Sequence, residues 1–270
     1  MRVIVALFLA LAVYGPVLAQ IDTDGIDCDN IETGDSQGIP DSTYAEIRDL
    51  VCEIKDTAEQ FDVVDALILA TDHMLAGDFE AAIQDTNHAL AIDPTSADGY
   101  FLRAKAYYYL GEYESSLKDY SAAIEYRPTD REFYNGRGDV YVILKDFDKA
   151  IKDYTNSLEI EPGDSATLVK RAMAYHSLGE SDSAIADYTR AIEISQDNSD
   201  AWLGRAILYS ALKENQAAIN DFTQVIKLAP DNSSGYGGRG FVYGRTGNLD
   251  QAVEDISHAI ELEPPAQAGP

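Results

Sequence analysis

Arginine and aspartate recur along this chain at a spacing that matches them in pairs. Arg103, Arg137, Arg171, Arg205 and Arg239 stand 34 residues apart, and Asp119, Asp153, Asp187, Asp221 and Asp255 follow each of them sixteen residues later. Asp85 extends the acidic column, whereas Leu69 stands where a further arginine would fall. A guanidinium presents a planar fork of donors that one carboxylate accepts at two points. Pairing of this kind neutralises both columns, so the pattern points to a repeated ion pair between the helices of a unit, or between neighbouring units, in preference to a cationic ligand track.

Other candidate chemistry does not assemble. The four histidines, His73, His88, His176 and His258, are scattered along the chain without metal-ligand spacing. No nucleophile elbow, zincin helix or phosphate loop occurs. Gly235-Tyr236-Gly237-Gly238-Arg239-Gly240 matches G-x-G-x-x-G, but no strand precedes it. In Arg137-Gly138-Asp139 the arginine belongs to the paired column, so the tripeptide is not a free loop. The acidic string Asp22 to Asp29 lacks the alternate ligand register of a calcium loop. These observations predict a non-catalytic chain with no cofactor and no metal site.

The elements that carry the charged columns are legible in the same period. Six units on a 34-residue period run without insertion or deletion: 63–96, 97–130, 131–164, 165–198, 199–232 and, taken to its closing proline, 233–264. Proline closes them at Pro94, Pro128, Pro162, Pro230 and Pro264, with Gln196 the exception. Small residues fill one column (Ala70, Ala104, Gly138, Ala172, Ala206, Gly240), and a second holds Ala82, Ser116, Ala150, Ala184, Ala218 and Ala252. Bulky residues fill others, with Tyr107, Tyr141, Tyr175, Tyr209 and Tyr243 in one, and Tyr120, Tyr154, Tyr188, Phe222 and Ile256 in another. Large against small at helical spacing is how a hairpin of two short helices fills its interior. Gly77, Gly111, Gly179 and Gly247 mark the turn inside the unit.

This pattern resembles the tetratricopeptide repeat family. The resemblance implies an all-α fold, a right-handed α-solenoid of six tandem 34-residue helix-turn-helix repeats. It also implies that the first helix of each unit lines a concave inner face. Mapped onto this chain, that face carries Phe101, Lys105, Tyr108, Asn135, Asp139, Val142, Val169, Lys170, Met173, His176, Leu203, Ile207, Phe241 and Arg245. Family members that hold a chaperone C-terminal carboxylate use Lys and Asn at set groove positions; those positions here read Phe101 and Lys105, then Asn135 and Asp139, so that clamp is not expected. The face is apolar with a few polar groups, which suits an extended segment of another protein. Some of these side chains could instead stack on the next repeat. The expected function is a protein–protein interaction scaffold, with a chaperone-like or substrate-binding module for peptide or glycan as the alternative. One departure bears on stability: the family commonly carries Leu at the arginine column, so Arg171→Leu is expected to cost less than Asp187→Ala.

The flanks carry their own expectations. Arg2, the apolar run Val3 to Val13 and small residues up to Ala19 read as a signal peptide over 1–19, and its export implies a periplasmic or secreted protein. In an oxidising compartment Cys28 and Cys52, the two cysteines of the chain, are expected to be bridged. The bridge lies in an acidic lead, 20–62, whose helix near Ser42 to Ala58 is expected to cap the first repeat. Residues 265–270 read as a disordered tail that offers no cap, so the last unit is expected to expose Ile256, Ala259, Ile260 and Leu262 for self-association or client docking. Forty-seven acids against 20 bases give a formal net charge of −27. Nucleic acid and anionic membrane surfaces are repelled, and a basic partner is attracted.

Overall fold

The computed structural model describes residues 62–262. The signal peptide, the Cys28–Cys52 bridge, the capping helix and the tail lie outside the described residues.

Twelve helices follow one another in pairs among the described residues. They are α1 (62–76), α2 (Phe79–Ile92), α3 (Ala97–Tyr109), α4 (Tyr113–Tyr126), α5 (Arg131–Ile143), α6 (Phe147–Ile160), α7 (Ser165–Ser177), α8 (Ser181–Ile194), α9 (Ser199–Ala211), α10 (Asn215–Leu228), α11 (Ser233–Thr246) and α12 (Leu249–Leu262). Odd-numbered helices are the first, or A, helices of each unit, and even-numbered ones are the B helices. From α2 onwards each helix packs on its neighbours in the chain, so the core is a continuous stack of hairpins.

Local chemistry sets the helix ends. Ser96, Asp130, Asp164, Asn198 and Asn232, again 34 apart, cap α3, α5, α7, α9 and α11 by accepting a hydrogen bond from a backbone N–H of the first turn. The turn inside each unit needs a left-handed residue. Gly77, Gly111, Gly179 and Gly247 supply it with φ between 78° and 87°, and Lys145 and Lys213 adopt the same region at the equivalent places, with φ of 59° and 63°. The glycine-rich stretch in the last unit forms α11 in full.

Small residues sit at the crossings as the pattern requires. Ala70, Ala82, Ala89, Ala104, Ala123, Ala150, Ala172, Ala184, Ala206 and Ala218 are fully buried. Two serines interrupt this series with different outcomes. Ser116 is buried and its hydroxyl donates to the Ala104 carbonyl at 2.8 Å. Ser157 is equally buried, in the column that holds Ala123 and Ala191, yet its Oγ has no hydrogen-bond partner. Ser157→Ala is therefore expected to stabilise the chain by about 1 to 2 kcal/mol, because it removes an unsatisfied buried hydroxyl. Ser116→Ala is expected to destabilise it. Denaturation midpoints of the two variants check the pair; a loss of stability in Ser157→Ala would contradict the assignment.

Candidate interaction groove

The arginine and aspartate columns form a ladder. In each of five units the arginine Nε and Nη2 donate to the two oxygens of the aspartate on the B helix, as in Arg137 to Asp153 at 2.8 and 2.8 Å and Arg205 to Asp221 at 2.7 and 3.1 Å. The third nitrogen reaches backwards. Arg103 Nη1 donates to Asn87, Arg137 to Ser121, Arg171 to Thr155, Arg205 to Thr189 and Arg239 to Thr223, at 2.6 to 3.1 Å. One side chain thus ties its own hairpin together and latches it to the preceding unit. In the first unit Leu69 replaces arginine, and Asp85 meets His73 Nδ1 at 2.6 Å instead.

Burial within the ladder reverses one expectation from the sequence. The acid is the more deeply buried member of every pair: 3 % exposed for the Asp153 side chain against 19 % for Arg137, and 10 % for Asp187 against 15 % for Arg171. Removing arginine strands the group that cannot reach water. Arg171→Leu is accordingly expected to be the costlier change.

The groove itself depends on how bulky rings on the B helices find room. Tyr120, Tyr188 and Phe222 lean forward onto the A helix of the next unit, where Gly136, Gly204 and Gly238 receive them; a Cβ on these glycines would stand 2.3 to 2.4 Å from a ring atom. At the equivalent place in α7 the residue is Lys170, which leaves no such seat. Tyr154 turns back onto its own hairpin, against Gly138. Among the A helices, α3 packs on α5, α7 on α9 and α9 on α11.

Side chains tie α5 to α7, and a pocket of about 420 Å³ opens beside them. Phe101, Lys105 and Tyr108 of α3 form one wall, Asn135 and Asp139 of α5 the floor, and Thr167 and Lys170 of α7 the far wall. Lys170 Nζ donates to Asp139 at 2.7 Å, and Tyr154 Oη donates to the other oxygen of Asp139 at 2.7 Å. Burial, reinforced by the Asp139 charge, raises the Tyr154 hydroxyl well above the ordinary tyrosine value, so it stays a donor. Arg131 is consumed by Glu161 at 2.6 Å and by Asp164. Lys105 differs: among the described residues it makes no ion pair, and its ammonium lies 5.3 Å from the centre of the Phe101 ring.

Asn135 supplies the complementary group. The Thr167 hydroxyl has one proton, and the Asp164 carboxylate at 2.7 Å takes it. The Asn135 Oδ1 lies 3.1 Å from the same hydroxyl, and the amide as a whole lines the pocket. The pocket therefore offers a cationic donor, a polar amide and aromatic walls.

Six of the fourteen residues named from the sequence line this pocket: Phe101, Lys105, Tyr108, Asn135, Asp139 and Lys170. Val142, Met173, His176, Ile207, Phe241 and Arg245 are exposed outside the pocket, on α5, α7, α9 and α11, and Arg245 donates to the Ser210 carbonyl at 2.8 Å. Val169 and Leu203 pack against core clusters. Sequence reasoning passed over Arg131, Asp164 and Thr167, although the 34-residue cap column that contains Asp164 was available. Among the described residues no three His, Cys, Asp or Glu side chains gather to hold a metal ion, and no helix is long and apolar enough to cross a membrane.

Known proteins share this architecture. The chain matches the family described as TPR repeat over residues 73–111, 104–142 and 172–213, and that described as tetratricopeptide repeat over 132–164, 199–232 and 233–265. No curated protein matches it. Among solved structures it resembles pilF of Pseudomonas aeruginosa, at 16% identity over 77% of this chain and 95% of that one, with a TM-score of 0.67. A tetratricopeptide repeat protein from Parabacteroides merdae aligns at 22% identity over 76% of this chain and 81% of that one, with a TM-score of 0.65. YrrB, a TPR protein with an unusual peptide-binding site, aligns at 20% identity over 67% and 93%, with a TM-score of 0.57. The repeated hairpins, the matched units and the shared architecture make this chain a member of the tetratricopeptide repeat family.

Proposed function

We propose that the chain is an exported, non-catalytic interaction scaffold that holds an extended segment of a partner protein along its A helices. The observation that carries this reading is the pocket between α3, α5 and α7. Its aromatic walls can take an apolar side chain, while Lys105 donates to a backbone carbonyl and the Asn135 amide meets the next peptide group. Exposed Val142, Met173 and Ile207 extend an apolar track towards α9. The large excess of acid favours a segment with basic residues outside the pocket. Peptide binding by YrrB, a protein of the same fold, supports the class of ligand.

The test is selection from a displayed random-peptide library against the folded chain, followed by affinity measurement of the selected peptides. Lys105→Glu and Phe101→Ala are each expected to weaken them roughly tenfold or more, the loss of one charge-assisted hydrogen bond or one buried ring contact. Peptides whose affinity neither variant changes would place recognition elsewhere.

A further inference from the structure

The B-helix face of the last unit is built like the five before it, and it is presented to solvent. Ile256 is 43 % exposed, whereas its counterparts Thr86, Tyr120, Tyr154, Tyr188 and Phe222 are at most 3 % exposed. Val253 and Ile260, at 66 % and 65 %, stand where Ile185 and Ile192 pack into the core. In every earlier unit an A helix covers these positions.

Two further features describe what would fit on α12. The first is the ladder. Asn87, Ser121, Thr155, Thr189 and Thr223 each accept from the arginine of the following A helix, and Ser257 stands at the next step of the same 34-residue series. Among the described residues no arginine reaches it. The second is charge. On the helical wheel Asp250, Glu254 and Glu261 fall along one edge of the apolar face, the edge that also carries Ser257, and all four are exposed.

We infer that α12 docks an amphipathic helix of a different protein in the A-helix position, its apolar stripe on Val253, Ile256 and Ile260, an arginine on the Ser257 hydroxyl, and basic residues along the acidic edge. A second copy of this chain fits less well on both counts. Antiparallel pairing of two α12 helices lays acids beside acids. Head-to-tail stacking brings Leu69, not arginine, to the ladder position. The inference is independent of the groove, which lies on other helices.

A labelled synthetic peptide of residues 198–214 with Asp200→Lys and Glu214→Lys serves as the probe, since α9 already covers the equivalent face of α8 and its Arg205 already latches Thr189. Fluorescence anisotropy against the full chain is expected to show saturable binding. Ile260→Glu, at an exposed position, should weaken it about tenfold. Ser257→Ala should weaken this peptide about fivefold and leave unchanged the weaker binding of the same peptide with Arg205→Ala. Phe101→Ala should have no effect, which separates this face from the groove. No saturable binding, or binding indifferent to Ile260→Glu, overturns the inference. A wild-type dimer in sedimentation that Ile260→Glu dissolves also overturns it, in favour of a second copy.

Discussion

Arg137→Leu is expected to destabilise the chain by about 3 to 5 kcal/mol, the range for stranding one member of a buried ion pair. The Asp153 side chain is 3 % exposed and both its oxygens are satisfied by Arg137. Leucine restores apolar volume but leaves that carboxylate without a partner and cuts the latch to Ser121. Asp153→Ala should cost less, because the Arg137 side chain, 19 % exposed, can swing its charged end to water while its stem stays packed. Urea denaturation of both variants gives the order, and amide exchange in α5 and α6 shows whether the loss is local, as an array of nearest-neighbour units predicts. An Asp153→Ala variant as unstable as Arg137→Leu would show that the carboxylate is not the critical member.

Gly204→Ala is expected to lose about 2 to 3 kcal/mol, against the usual helix-interior gain of roughly 1 kcal/mol for replacing glycine by alanine. The new methyl would stand 2.3 Å from the Tyr188 ring, which is 2 % exposed and enclosed by its neighbours. Gly237→Ala in α11 is the control. Its Cβ would meet nothing nearer than the Ala259 methyl at 3.9 Å, so the ordinary gain is expected there. Thermal melts of the two variants should move in opposite directions. If both move upward, the ring has room to shift and the glycine seat is not a packing requirement.

The two variants touch the property that separates this array from a generic repeat. Forward-leaning rings need glycine in the next A helix, and Lys170 breaks that rule once. Where it does, Tyr154 packs against Gly138, and Lys170 lines the pocket. A single residue that departs from its column therefore lies next to the candidate recognition site, and Lys170 itself remains there as the partner of Asp139.

The sequence by itself determined the repeat count, the hairpin, the small-residue crossings and the arginine–aspartate pairing. These follow from period and side-chain type, because helix propensity, turn residues and bidentate charge pairing act within one unit and are copied 34 residues later. Tertiary structure alone decided three things. It set which member of each ion pair is the more buried, which way each ring leans, and which of the fourteen inner-face residues converge on one cavity. Each depends on competition for the same space between side chains of adjacent units, such as Tyr120 with Gly136 and Tyr154 with Lys170. Close packing resolves that competition only when both units are in place.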